Sequence, residues 1–261
     1  MQQKLPLFRV IRQIFDTLGD HGGQMLAQAP QLVAILLAGS CLAMYMGQLA
    51  VIQHSILLEV ASWLVLVAAP VLAAVAWHRR ILLDEAPRAG LVAGKPERMY
   101  FLLGVAGSLV LFVLATLRLF VFVWTTGPEG TNALGILLTS VLWLAPLYFT
   151  GHLFLALPEA ALTGKVNLRR IHALTRGNKL RFVVLALLPI PILLLLELVR
   201  IFLLQMPRMP SPGFYVYNAV SMLVGSLVTV TSMSVCYRVL VLQPQTQARE
   251  AALAAAVSNE G

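Results

Sequence analysis

Charge is what this chain has least of. Only 11% of its 261 residues are Asp, Glu, Lys or Arg, less than half of the roughly 25% usual in soluble domains. Too few charged side chains exist to cover a water-facing surface. That excludes a disordered chain, a nucleic-acid-binding arm and an ordinary soluble enzyme. Cysteine is nearly missing as well: Cys41 and Cys236 both lie inside apolar runs. A disulfide framework is excluded on this count, and two reduced thiols are expected. The usual marks of chemistry are missing too. No G-x-S-x-G, H-E-x-x-H, C-x-x-C or P-loop pattern occurs. His172 and Ser211 stand alone, and isolated Ser and His carry no hydrolase reading. No catalytic residue, metal or cofactor is therefore expected.

What is present is apolar: 59% of the residues. A helix needs about 20 apolar residues to cross roughly 30 Å of hydrocarbon. Six stretches meet that length, near Pro30–Gln53, Ile56–Trp77, Met99–Trp124, Asn132–Leu157, Phe182–Met206 and Phe214–Leu242. Their length, without dyad alternation, predicts helices rather than a barrel. The expected fold is all-α: a polytopic membrane protein of six transmembrane helices. Residues 1–29 read as a cytoplasmic amphipathic segment, 30–242 as the membrane domain and 243–261 as a flexible cytoplasmic tail. Arg9, Arg12, Asp16 and Asp20 interrupt the N-terminus, so it lacks the apolar core of a signal peptide and reads as retained.

Basic residues set the expected orientation. Sixteen of the 19 Lys+Arg fall in the N-terminal segment, the second and fourth loops and the C-terminal end. The other three loops hold Arg208 alone. The positive-inside rule then places both termini in the cytoplasm. Trp77 and Trp124 sit at span ends, as interfacial anchors do. The net charge of +8 lies in short loops, so its expected partners are anionic lipid headgroups rather than nucleic acid. Other membrane proteins are a further class of partner.

Two segments beside the spans are amphipathic. Leu7, Phe8, Ile11, Ile14, Phe15 and Leu18 recur at helical spacing opposite Arg9, Arg12 and Asp16. Val166–Arg176 repeats the pattern. Both are expected to lie in the cytoplasmic headgroup layer and to turn the chain into the bilayer. Gly22–Gly23 and Gly177–Asn178 are the expected breaks before the adjoining spans.

An internal repeat is also visible. Ala69-Pro70 is echoed by Ala145-Pro146. His78 through Glu85-Ala86 is echoed by His152 through Glu159-Ala160, and Arg118-Leu-Phe by Arg200-Ile-Phe. Three helical hairpins, all running in one direction, would account for it. With the amphipathic lead-in, the Trp-His-Arg boundary, Leu-Ala-Leu-Pro-Glu after the fourth span and Thr175-Arg176-Gly177-Asn178 before the fifth, the chain resembles a family. These are the uncharacterised bacterial inner-membrane proteins related to the membrane domain of glycerophosphodiester phosphodiesterases. The resemblance implies an inner-membrane location and a six-span architecture. It implies no phosphodiesterase activity, because no catalytic domain is appended to the spans.

Few side chains remain that could carry chemistry. His78 and His152 are expected at similar depth, where two facing imidazoles could ligate a haem iron. Polar rings seated in the headgroup layer are the competing reading. Glu59, Arg118, Glu197 and Arg200 are intramembrane charges, expected within roughly 5–12 Å of the periplasmic boundary. They would form either a polar cavity or snorkelling side chains with one ion pair. Glu197 is expected to meet Arg118, and Arg200 to reach the interface. Gly39, Ala43 and Gly47, and again Ser221, Gly225 and Thr229, form small-residue stripes for close helix packing. Pro70, Pro146, Pro189 and Pro191 predict kinks. The functional expectation is a non-enzymatic accessory, scaffold or envelope-maintenance protein. The alternative is a transporter of a small or amphipathic molecule, which a cavity lined by Glu197, Arg118 and the Thr229–Ser234 hydroxyls would favour.

Overall fold

The computed structural model describes residues 4–86, 94–127, 130–131, 133, 135, 137–138, 140–142, 151–202 and 211–258. The fold is all-α. Its helices are α1 (Leu7–Gln28), α2 (Pro30–Gln53), α3 (Ile56–Leu83), α4 (Lys95–Thr125), α5 (Leu153–Thr163), α6 (Leu168–Thr175), α7 (Lys179–Ala186), α8 (Pro189–Phe202), α9 (Pro212–Tyr237) and α10 (Gln243–Ser258). A two-residue antiparallel pairing, Thr126↔Thr131 and Gly127↔Gly130, turns the chain after α4.

Five runs are long and apolar enough to cross a membrane: Pro30–Gln53, Ile56–Leu83, Lys95–Thr125, Lys179–Phe202 and Pro212–Ala252. They match five of the six expected spans. The fourth, Asn132–Leu157, falls largely outside the described residues, as does Pro146; its end forms the start of α5. The apolar surface also points to lipid surroundings. Of the most apolar stretch of α4, 0% is buried. Phe112, Val113, Phe120 and Trp124 lie open on its outside. In water such a surface would drive aggregation, whereas acyl chains solvate it. The helices are compatible with a multi-pass membrane protein.

Local chemistry explains the boundaries. Ala29 leaves the helical region (φ −135°, ψ 51°) just before Pro30, because proline crowds the residue that precedes it. The break before the first span therefore sits at Ala29. The expected break at Gly22–Gly23 is wrong, since α1 runs through both glycines. Without a proline behind them, two glycines lower helix stability but do not force an exit. His54 takes a left-handed conformation and Ser55 caps α3 by accepting the Leu58 N–H at 3.4 Å. That makes the α2–α3 hairpin tight, as its two-residue spacing predicts. Gly164 (φ 65°) ends α5. A Cβ there would stand 2.9 Å from that of Lys95, so both its conformation and its space require glycine.

The fifth span is interrupted at its prolines, between α7 and α8. Pro189 and Pro191 have no N–H to give to the Leu185 and Leu187 carbonyls. Those carbonyls accept instead from Leu188 (3.2 Å) and Ile190 (3.0 Å). The chain thus turns between α7 and α8. Pro70, by contrast, sits inside an uninterrupted α3.

The core lies at the end of the bundle that carries α1, Arg79 and Arg238; it is called here the basic end. Eight consecutive residues of α5, Phe154–Ala161, are buried, and so is α9 from Val230 to Tyr237. Both pack against α3. The apolar side of α1 is split. Val10 and Ile14 are buried against the bundle, while Phe8 and Phe15 point out. The Leu5 N–H donates to Asn178 Oδ1 at 2.8 Å, tying the start of the chain to the turn before α7.

Of the tail, Gln243–Ser258 is helical. Arg238–Leu242 form a π-turn, with the Arg238 guanidinium donating to the Ile81 carbonyl. The helix then continues as α10, which extends outward and packs chiefly on the π-turn it continues. Residues Gln245–Gln247 are exposed. Truncation after Pro244 is accordingly expected to change stability by less than about 0.5 kcal/mol. Thermal unfolding of the detergent-solubilised protein checks this, and a clear drop in midpoint would show that α10 docks.

Candidate functional site

The most polar part of the interior is at the basic end, where α3 and α4 meet α9. Trp77, His78 and Tyr100 face a row of hydroxyls, Thr231, Ser232 and Ser234, all fully buried. Their spacing on α9 sets two hydroxyls on the face toward α3. The Trp77 Nε1–H donates to Thr231 Oγ1 at 2.8 Å. Ser234 Oγ donates to the Val230 carbonyl at 2.9 Å and lies 2.7 Å from His78 Nδ1. A hydroxyl has one proton. With that proton given to Val230, Ser234 accepts from His78, which assigns the proton to Nδ1. Nε2 is then the acceptor for the Tyr100 hydroxyl at 3.3 Å. Both ring nitrogens are committed.

This geometry corrects two expectations. Trp77 is not an interfacial anchor: it is 1% exposed, in the core. Trp124, at 75%, keeps the anchor's exposure. His78 and His152 do not face each other. His78 is engaged by Ser234 and Tyr100, whereas His152 Nε2 lies 3.0 Å from Nδ1 of His172, with the two rings stacked. α9 packs on the His78 side of α3, and α6 folds back over His152. The two imidazoles thus have different neighbours and offer no shared axial site. The His78–Ser234 contact has the spacing of a base and a nucleophile, yet Ser234 is shut off from solvent and gives its proton to the helix. No carboxylate orients the ring; Tyr100 occupies that side. The arrangement orders a core.

Of the four intramembrane charges, two form one ion pair within a helix, as one of the two readings expects. Glu197 and Arg200, three residues apart on α8, form an ion pair, with Arg200 Nε donating to Glu197 Oε2 at 2.9 Å. Arg200 is 3% exposed and is held by a carboxylate one turn away on its own helix. Arg200 holds both Glu197 oxygens. Arg118 is half-buried on α4. Glu59 is exposed and lines a groove at the α2–α3 hairpin with Gly47, His54 and Trp63.

A second feature adjoins the polar core. One face of α9 borders a cavity of about 520 Å³, formed by Asn218, Ser221, Met222, Gly225, Ser226, Thr229, Val230 and Met233. Its other walls are Pro70 and Ala74 of α3, Tyr100, Leu157, Pro189 and Leu193. Neither Glu197, Arg118 nor the hydroxyls of residues 231–234 are among these lining residues. The Thr229 hydroxyl donates to the Gly225 carbonyl at 2.8 Å. Ser221 Oγ is buried and has no hydrogen-bond partner. The Ser221–Gly225–Thr229 stripe, read from sequence as a packing seam, meets Leu193 of α8 at Gly225 and also lines this cavity. The first stripe does pack: Gly39 faces Ala69, and Ser62 Oγ donates to the Ala43 carbonyl at 2.7 Å. Sequence reasoning missed Tyr100 and Asn218. The recurrence of lining residues at three- and four-residue steps from 218 to 233 was the signal available.

Among the described residues, no group of three or more His, Cys, Asp or Glu is placed to hold a metal ion. No family model, curated protein or solved structure matches the chain.

Proposed function

We propose that this chain is a six-span protein of a bacterial-type cytoplasmic membrane, with both termini in the cytoplasm. Its role is that of a non-enzymatic accessory or scaffold acting through lipids and other membrane proteins. The observation that carries this reading is the basic-end core. There the side chains most capable of chemistry, His78 and Ser234, are spent on fixing α3 against α9. Around it, α1 turns Phe8 and Phe15 outward beside Arg9 and Arg12. That suits a helix lying in a headgroup layer with anionic lipids. The resemblance to the membrane domain of glycerophosphodiester phosphodiesterases belongs to this proposal for its architecture only.

The orientation is tested by fusion. Alkaline phosphatase joined after Gly261 is expected to be inactive, and a fluorescent protein at the same site to be bright. An active phosphatase would overturn both the orientation and the six-span count. The role is tested by crosslinking in native membranes followed by purification. Enriched anionic lipid and a membrane-protein partner are expected. A transporter is the second reading, favoured by the cavity and the interrupted fifth span. Solute-dependent thermal stabilisation, with no lipid or protein enrichment, would replace the first reading with the second.

A further inference from the structure

The cavity beside α9 is long and mostly apolar in its lining. Its lining on α9 runs from Asn218 to Met233, about 22 Å along the helix axis. Its volume of about 520 Å³ lies inside the range of roughly 300–1,000 Å³ typical of ligand sites. No charged side chain is among its described lining residues. The start of α8 at Pro189 borders it, and a helix start ordinarily offers N–H groups to an anion. Here Pro189 and Pro191 have none, and Ile190 gives its N–H to Leu187. An anionic group thus has little to bind at that wall.

The polar atoms are placed unequally. At the deep end, near Met233 and Leu157, the Tyr100 hydroxyl is turned to His78 and the Thr229 hydroxyl to its own helix. Neither is free for a ligand. Toward the other end stands Ser221, whose hydroxyl is buried without a partner. Asn218, also in the lining, lies one turn beyond it, its amide Nδ2 donating to the Phe214 carbonyl at 2.8 Å. A buried hydroxyl left unpaired is costly, so a group that completes it is favoured there.

We propose that the cavity holds one hydrocarbon chain of a bilayer lipid. The lipid's ester region lies at Ser221 and Asn218, and the chain runs toward Tyr100 and Met233. The occupant follows from the lining: a neutral apolar slot with a hydrogen-bonding mouth matches an acyl ester, and the surrounding apolar helices make lipid the molecule at hand. This rests on the membrane reading above, and under that orientation the lipid enters from the periplasmic leaflet. Gly225 keeps the slot open. A Cβ there would meet Leu193 at an ordinary 3.5 Å, so a larger side chain is accommodated on the backbone and extends into the slot.

The test uses the full chain in vesicles of phosphatidylethanolamine and phosphatidylglycerol containing phosphatidylglycerol with a diazirine at the acyl terminus. After irradiation, adducts are expected on Tyr100, Leu157 and Met233. A diazirine placed near the ester should instead label Asn218–Met222. Gly225→Leu should lower the deep adducts about tenfold, the effect of 1.4 kcal/mol in occupancy. Labelling of Phe112, Val113 and Phe120 on the outer face of α4 should stay unchanged. Should Gly225→Leu fail to fold, Ser221→Ala serves: it should lower labelling about threefold, a smaller loss because only one hydrogen bond is removed. Deep labelling unaffected by these variants, or no stronger than that of α4, would overturn the proposal. Absence of labelling on α4 as well would overturn the membrane reading beneath it.

Discussion

Replacing Trp77 by alanine is expected to destabilise the protein by about 3–5 kcal/mol. Trp77 is among the largest fully buried side chains and fills the contact between α3 and α9. A small apolar cleft already borders it, lined by Leu26, Leu36, Ala74 and Leu227. Truncation would enlarge that cleft to a void the rigid helices cannot close. It would also leave the Thr231 hydroxyl without its donor, which by itself costs about 1–3 kcal/mol. Trp77→Phe separates the two effects, because it keeps most of the volume and loses only the hydrogen bond. Equilibrium unfolding in mixed detergent should rank wild type above Trp77→Phe, and that variant above Trp77→Ala. Loss of Trp77 with no change in midpoint would mean that the ring sits at the membrane surface after all.

Gly39→Leu is expected to cost about 3 kcal/mol through overpacking. The Cβ alone would stand 2.5 Å from that of Ala69, closer than atoms approach. Even Gly39→Ala should destabilise. Helix propensity favours alanine by about 1 kcal/mol, but forcing apart α2 and α3, the most extensively packed helix pair, costs about 1–3 kcal/mol. The decisive experiment is the double change Gly39→Ala with Ala69→Gly, which moves the methyl across the seam. Its loss should be smaller than the sum of the single losses by about 1–3 kcal/mol. Strict additivity would show that the two helices do not meet at this point.

The two sets of small residues show where sequence reading reaches its limit. Gly39–Ala43–Gly47 and Ser221–Gly225–Thr229 look alike as strings. The first has α3 pressed on it, because a two-residue turn leaves α3 no other place to go. The second meets Leu193 of α8, which a Cβ at Gly225 would touch at an ordinary 3.5 Å, and it also lines the cavity. The prolines that interrupt the fifth span are legible in sequence; the cavity beside them is not.

Much about this protein was determined locally. Low charge, long apolar runs and caps such as Ser55, Asn167 and Ser211 specify apolar helices and their ends, because hydropathy and capping act over a few residues. The amphipathic stretch before Pro30 likewise declared itself by its period. Pairing is a different matter. Whether His78 meets His152 or Ser234, and whether Trp77 anchors or packs, depend on which helix lies alongside. Those contacts join positions up to 156 residues apart. Apolar runs, each compatible with several neighbours, leave that choice open, and the close fit of α3, α5 and α9 at the basic end decides it.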